Sequence, residues 1–349
     1  MKTGALLVNT GSPDSPAPRD VKTYLQEFLM DERVIDIPAW KRRLLVYGII
    51  APFRSKKVSK LYENIWTPEG SPLVATTIAL AQKLTSAARM PVEAAMRYGN
   101  PSVKSALEKL STQKVKKVVL APMFPHYAMS TWESVVEKVK EEIKSFPEMN
   151  LSVVSPYYDH PDFIDALYQN ARAQLKQGYD HIVFSFHSLP VRHILKADPT
   201  RNICLVKEGC CETKNPAQAT CYKAQTLATT KLLMKKIKVD SAKASLTFQS
   251  AMRGQWLGPS TEEKIIELAH NGCERVLVIC PGFVTDNLET LEEIGIRGKE
   301  RFSENFILKM PKKTAAGKRN AAPRFDLVPS LNLHDAWVKT LAKIIKKAG

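Results

Sequence analysis

Short, nearly continuous apolar runs alternate with longer segments of helical periodicity along the whole chain. GALLVNT around Ala5, VKKVVLAPMF around Val118 and LSVVSPYY around Val153 read as buried strands, with helices expected from Arg19 and from Trp132. The second half repeats the plan with HIVFSFHSLP around Ile182, ASLTFQS around Leu246, RVLVICPGF around Val276 and FDLVPSLN around Leu327. Strands separated by helices imply parallel sheets with helices on both faces. The fold expected is therefore α/β, with two doubly wound, Rossmann-like lobes. They are placed at residues 1–160 and 161–349, with the final helix packing back on the first lobe. A chain of 349 residues suits two lobes of roughly 150 to 180 residues. No tandem repeat of short period is present, which argues against a solenoid. The segment PKKTAAGKRNAAPR, Pro311 to Arg324, reads as a solvated basic insertion.

Composition narrows the class. The hydrophobic fraction of 44% and charged fraction of 25% are ordinary for a soluble globular protein. No apolar run reaches the ~18 residues of a spanning helix, and MKTGALLVNTGSP meets turn residues before a secretory apolar region could form. A cytoplasmic protein is expected. Fifty-one Lys and Arg against 35 Asp and Glu leave a net charge of +16. That excess favours an anionic partner, whether a carboxylated small molecule, an acidic membrane surface or nucleic acid, and does not choose among them. Without an interleaved aromatic and basic motif, nucleic acid is not expected. Six cysteines in a reducing compartment point to metal or redox chemistry more than to disulfides. Cys273 and Cys280, in strand-like sequence, read as buried small hydrophobes.

In open α/β sheets ligands bind beyond the carboxyl ends of the strands, which directs attention to the residues that follow each apolar run. His187 follows one run and precedes a Ser-Leu-Pro turn. An imidazole there suits proton transfer or metal holding, and a structural histidine at a strand end is the plainer alternative. Glu289 and Glu293, four residues apart, would share one face of a helix beginning near Asp286. Asp286 with Glu289 three residues later also fits a capping box, and both uses stand open.

At this point the sequence resembles a known family. LVNTGSP (Leu7 to Pro13), YLQEFLMDERVIDIP (Tyr24 to Pro38), GSPL (Gly70 to Leu73), AMRYGNPS (Ala95 to Ser102), PMFPHYAMSTWES (Pro122 to Ser134), FSFHSLPVR (Phe184 to Arg192), DPT (Asp198 to Thr200), FQSAMRGQWLGPSTEE (Phe248 to Glu263) and PGFVTDNLETLEEI (Pro281 to Ile294) are similar to the signature blocks of the ferrochelatases, in the family's order. The resemblance spans nearly the whole chain. It implies a two-lobed chelatase fold, a porphyrin cleft between the lobes and no organic cofactor. His187 matches the family's active-site histidine, implicated in pyrrole proton removal or metal delivery. Glu289 and Glu293 match the acids implied to carry protons or substrate Fe2+, with His187 and Glu289 as candidate ligands of that iron. Asn287 stands where many members carry His or Cys, and a neutral amide cannot titrate near pH 7. His187 is therefore expected to act alone.

This chemistry makes sense of the residue types. Two pyrrole N–H protons must leave as a divalent metal enters a porphyrin, so the site needs a base and a weakly held iron. Bending the ring exposes the nitrogen lone pairs, a strain that binding elsewhere on the ring can supply. LLVYGIIAPF lies between basic groups Lys41-Arg42-Arg43 and Arg54 to Lys60. Leu29, Met30, Tyr47, Ile49, Ile50 and Phe53 are candidate walls or, equally, ordinary core. The resemblance implies a mobile lip over the porphyrin, with a pattern that also suits peripheral contact with an anionic membrane. Arg97 and Tyr98 resemble family residues lining the cleft, and Ser130, Thr131, Trp256 and Asp286 are further substrate-binding candidates.

Cys204, Cys210, Cys211 and Cys221 form C-x5-C-C-x9-C, which is not a usual zinc-finger spacing. Four thiolates match the ligand count of a 2Fe–2S cluster. Some members of the family bear such a cluster, and the piece from about Cys204 to Thr220 looks inserted relative to the family's usual chain. A cluster is expected, with zinc or bare thiols as alternatives. The vicinal pair Cys210-Cys211 is the weak point, because adjacent side chains diverge unless the backbone bends.

The activity expected is insertion of Fe2+ into protoporphyrin IX, favoured over coproporphyrin III by the apolar lip. A cobalt chelatase of corrin synthesis and a two-lobed binding protein without chemistry are the rivals. Monomer and homodimer are both left open.

Overall fold

The first apolar run forms β1 (Thr3–Asn9), whose Ala5, Leu6, Leu7 and Val8 are fully buried. A strand apolar at consecutive positions needs cover on both faces, which parallel sheets between helices provide. The computed structural model describes residues 1–252, 254–309 and 323–349. The basic insertion expected from Pro311 lies outside the described residues, apart from Pro323 and Arg324.

After β1 come α1 (Pro18–Leu29), α2 (Ala39–Leu45), α3 (Ala51–Glu63), α4 (Pro72–Ala88), β2 (Val92–Met96), α5 (Val103–Thr112), β3 (Lys117–Pro122), α6 (Ser134–Glu142) and β4 (Asn150–Val153). All four strands pair in parallel, in the order β2-β1-β3-β4. Leu6 and Val8 pack with Leu107, Leu110, Val118, Leu120, Val135 and Val139, so α5 and α6 cover one face. Strand β2 is absent from the sequence expectation. Glu93 and two alanines break its apolar run, and pairing with β1 supplies what propensity does not.

The second half contributes α7 (Pro161–Leu175), β5 (His181–His187), α8 (Val191–Ala197), α9 (Tyr222–Ile237), β6 (Ala244–Gln249), α10 (Thr261–His270), β7 (Arg275–Ile279), α11 (Lys299–Lys309) and β8 (Arg324–Leu327). These strands are also parallel, in the order β6-β5-β7-β8. Their core joins Val183, Val276 and Val278 to Phe302, Phe306 and Phe325. Truncating one such buried phenylalanine to alanine would cost about 3–5 kcal/mol. Cys280 is buried in this core, whereas Cys273 is only half-buried and sits in the turn before β7. The expectation of a buried Cys273 is corrected accordingly.

The chain folds as two compact units. The first comprises Met1–Tyr157, Val284–Leu288 and Leu331–Gly349, and the second Tyr158–Phe283 and Glu289–Ser330. The last helix, α12 (Asp335–Ala348), belongs to the first unit and packs on α4, with Trp337 fully buried beside Tyr157. Each sheet reverses its strand order once, between β1 and β3 and between β5 and β7. The carboxyl ends of those strand pairs are the switch points where ligands bind in such folds.

Candidate active site

In the second unit β5 ends on His187. Its Nδ1 lies 2.5 Å from the carbonyl oxygen of Ser188, so Nδ1–H is the donor and the imidazole is tied to its own turn. Ser188 N–H donates to the Gln249 carbonyl at 2.7 Å, and Ser188 Oγ to the Leu257 carbonyl at 2.7 Å. Trp256, half-buried, bridges Pro190 through its backbone beside this turn.

Beyond β7 the chain runs into Glu289–Gly298, a π-helical stretch leading directly into α11. The α-helix expected from Asp286 therefore starts later and in the wider i→i+5 form, which occurs frequently at functional sites. Asp286, in the first unit, pairs with Asn332: its N–H donates to Asn332 Oδ1 at 2.9 Å, and its Oδ2 accepts from Asn332 Nδ2 at 2.6 Å. Glu293 accepts from the N–H of Ser250 at 2.8 Å and also from its hydroxyl. Ser250 adopts a left-handed φ of 61°. Gln249 donates to the Glu289 carbonyl at 2.8 Å while its Oε1 accepts from Ser185 Oγ at 2.7 Å.

Glu289 interacts electrostatically with both His187 and Glu293. Burial raises the Glu289 carboxyl above its ordinary value and the neighbouring Glu293 adds to that, while His187 pulls in the opposite direction. Glu292, one residue before Glu293, is buried and bonded to Arg297 at 2.8 Å. The strand ends thus bring together a histidine with a fixed tautomer, a carboxyl inclined to hold its proton and a hydrogen-bonded carboxylate.

In the first unit, Arg97 and Tyr98 follow β2. Arg97 Nη2 meets Asp31 Oδ2 at 2.6 Å, Tyr98 donates to the same oxygen at 2.9 Å, and the Ser134 hydroxyl donates there too. Burial pushes Asp31 up, but hydrogen bonds from Ser134 and the Arg33 N–H, with the Arg97 charge, bring it below its usual value. Tyr98 is buried, stacked under the Arg97 guanidinium at 4.5 Å. Gly11, at φ 107°, lies against this pair, and a Cβ there would stand 1.8 Å from the Tyr98 carbonyl oxygen. Met30, Ser130 and Thr131 are half-buried. The segment expected as a lip is one uninterrupted helical run, α2 and α3 joined by a π-turn at Val46–Ile50. It exposes Trp40, Leu44, Tyr47, Ile49 and Phe53.

The four thiols of the Cys204–Cys221 loop touch in series. Cys221 contacts Cys204 and Cys211, and Cys211 lies 4.0 Å from Cys210. The Cys221 contact and burial push the Cys211 thiol up, and burial raises Cys204. Four thiols in one loop match the donor set of a thiolate-binding centre, in which a metal would replace their protons. Among the described residues, however, neither these thiols nor His187 with its glutamates form a group of three or more ligands arranged to hold a metal ion.

Sequence reasoning missed Asp31, Gln249, Ser250 and Asn332. Gln249 and Ser250 follow an expected strand and could have been found there. Asp31 and Asn332 lie far along the chain from the residues they hold, and no local pattern signals such pairings.

The family profile described as ferrochelatase matches residues 2–349. A ferrochelatase of Opitutus terrae is 46% identical over 346 residues, covering 98% of this chain and 96% of its own. That of Azotobacter vinelandii is 43% identical over 352 residues, covering 99% and 98%. Among solved structures, SirB from Bacillus subtilis with Fe3+ aligns with a TM-score of 0.54 at 13% identity, covering 100% of this chain and 96% of that one, a likeness of fold alone. With a family profile over essentially its entire length and relatives well above 30% identity, the chain belongs to the ferrochelatase family.

Proposed function

We propose that this protein inserts ferrous iron into protoporphyrin IX, releasing the two pyrrole protons and forming protohaem. The observation that supports this reading is that Gln249, paired with His187 in the register of β5 and β6, bonds to the Glu289 carbonyl while its neighbour Ser250 bonds to the Glu293 carboxylate, beside the switch point of the second sheet. His187 Nε2, free of the proton that Nδ1 carries, accepts a pyrrole proton. Glu289, when ionised, takes that proton and hands it to Glu293 and so to solvent, the second pyrrole proton follows the same path, and the unprotonated carboxylates with His187 offer the weak oxygen and nitrogen ligands from which Fe2+ can leave for the ring. Arg97, steadied by Asp31, supplies a cation for a porphyrin propionate, with Met30, Tyr47, Tyr98, Ser130, Thr131, Trp256 and Asp286 assigned to the ring's surroundings. No organic cofactor enters this scheme.

Cys204, Cys210, Cys211 and Cys221 are assigned to a 2Fe–2S cluster. Bound there, it would crosslink the loop and accept or give one electron. Four thiols linked in series within one loop support that assignment, and the loop must draw them toward one point. Six free cysteines suit a reducing cytoplasm. The exposed apolar and basic positions of α2 and α3 suit peripheral contact with an anionic membrane.

The test is anaerobic addition of Fe2+ and protoporphyrin IX to the purified protein. The free-base spectrum is expected to convert to that of haem. Conversion of coproporphyrin III alone would reassign the substrate, and conversion of neither would overturn the reading.

A further inference from the structure

The thiol loop and His187 are joined by one side chain. Cys221 stands at the position before α9, whose first residue is Tyr222. The Tyr222 hydroxyl donates to the backbone carbonyl of His187 at 3.0 Å from a buried position. That carbonyl belongs to the same peptide unit as the Ser188 N–H, which is held on its other side by the Gln249 carbonyl at 2.7 Å. The next carbonyl, that of Ser188, accepts the His187 imidazole. One peptide plane, clamped by Tyr222 and by β6, thus sets the carbonyl that orients the ring.

The other end of the clamp is the sulfur chain. Cys221 touches Cys204 and Cys211. Thr220 Oγ1 donates to the Ala197 carbonyl at 2.5 Å, and Gln225 Nε2 to the carbonyls of Gln218 and Ala219 at 3.2 and 2.9 Å. The Asp198 carboxylate accepts from the N–H groups of Ile203 and Cys204 at 2.9 and 2.8 Å. The loop is therefore fastened where it leaves α8 and where it enters α9. A change in how its sulfurs are held has a short path to the start of α9 and so to Tyr222.

We propose that Tyr222 is a positioning residue through which the four-thiol loop sets the aim of the His187 imidazole. The inference rests on the reading of His187 as the proton acceptor and assigns the loop a role in tuning that same site. Tyr222 touches neither porphyrin nor iron. It acts through the 187–188 peptide, and removing its hydroxyl frees that peptide to tilt without emptying the ring's place in the core.

The test is a double-mutant cycle on the full chain, reading haem formation and hydrogen exchange at the Ser188 amide. Tyr222→Phe is expected to lower kcat about fivefold, the worth of one ordinary hydrogen bond, with KM for protoporphyrin unchanged. Ser188 exchange should quicken about as much. Cys221→Ser should do the same in the wild-type background and add nothing in Tyr222→Phe, because both act through one clamp. If Cys221→Ser fails to fold, Cys211→Ser, further along the sulfur chain, takes its place. Additive losses, or Tyr222→Phe leaving kcat and Ser188 exchange unchanged while the wild type forms haem, would overturn the coupling alone. A wild-type protein that forms no haem would instead overturn the reading of His187 on which it rests.

Discussion

The Nδ1 atom of His187 stands 2.5 Å from the carbonyl oxygen of Ser188. A carbonyl can only accept, so in the neutral ring the proton resides on Nδ1 and Nε2 keeps its lone pair. The strand end therefore presents a base whose tautomer the backbone chooses. His187→Ala removes that base and is expected to lower haem formation at least about 100-fold. The ring is half-buried and outside the apolar core, so the melting temperature should move little. Full activity in the alanine variant would exclude His187 from proton transfer.

Glu289 links the site to pH. Burial raises its carboxyl above the ordinary value of 4.5. Between that value and the raised one the folded protein keeps a proton that the unfolded chain has lost, so stability falls as pH rises through the window. At higher pH the ionised side chain costs stability. Glu289→Gln should thus melt about 1–3 °C higher than wild type at neutral pH while losing haem formation, with the thermal gain gone below the ordinary carboxylate value. A variant melting at or below wild type at neutral pH would contradict the direction of the shift.

Asp31 works with the opposite sign. Its carboxyl lies below 3.8 in the folded state, so its contribution is complete above that value and is lost as pH falls through the depressed one. Asp31→Asn leaves Arg97 without its anion and is expected to lose about 3 kcal/mol at neutral pH, measured by urea unfolding. The gap between variant and wild type should narrow on acidification below 3.8. A gap independent of pH would mean that the charge does not carry the effect.

Much of this arrangement was legible in the sequence because chemistry in such folds gathers after strands. His187 directly ends an apolar run, and the spacing of Glu289 and Glu293 keeps them near each other in either an α- or a π-helix. The spacing alone could not tell the two helices apart, so the later start at Glu289 was not foreseen. Nor could the sequence say that β5 and β7 are neighbours, the pairing that brings His187 to the glutamates. Strand β2 escaped notice because Glu93 interrupts its apolar pattern. Asp31 and Asn332 escaped because a side-chain pair across the fold leaves no local trace.

The thiol loop makes a prediction that requires no activity. Protein purified anaerobically from iron-supplied cells should carry about two iron and two sulfide per chain, with visible absorbance that dithionite bleaches. Cys221→Ser, which removes the sulfur touching both Cys204 and Cys211, should lose that absorbance. Colourless wild-type protein containing zinc would reassign the four ligands, and one without metal would leave them as thiols.

The helical run over α2 and α3 exposes Trp40 by 67% and Phe53 by 78%, among Lys41, Arg43, Arg54, Lys56 and Lys57. Two separable forces would hold such a surface on an anionic bilayer. Burying a large apolar side chain contributes roughly 1.5–3 kcal/mol whatever the salt, whereas each nearby cation adds about 1 kcal/mol that salt screens away. Phe53→Ser should therefore weaken sedimentation with phosphatidylserine-containing vesicles about tenfold or more at both low and high salt. Replacing Lys56 and Lys57 together by Ala should weaken it about 30-fold at low salt and hardly at all at about 1 M. The two losses should combine additively at low salt, since one is apolar and the other Coulombic. Wild-type protein that stays in the supernatant at low salt would remove the membrane from the account and leave the exposed stripe to the porphyrin.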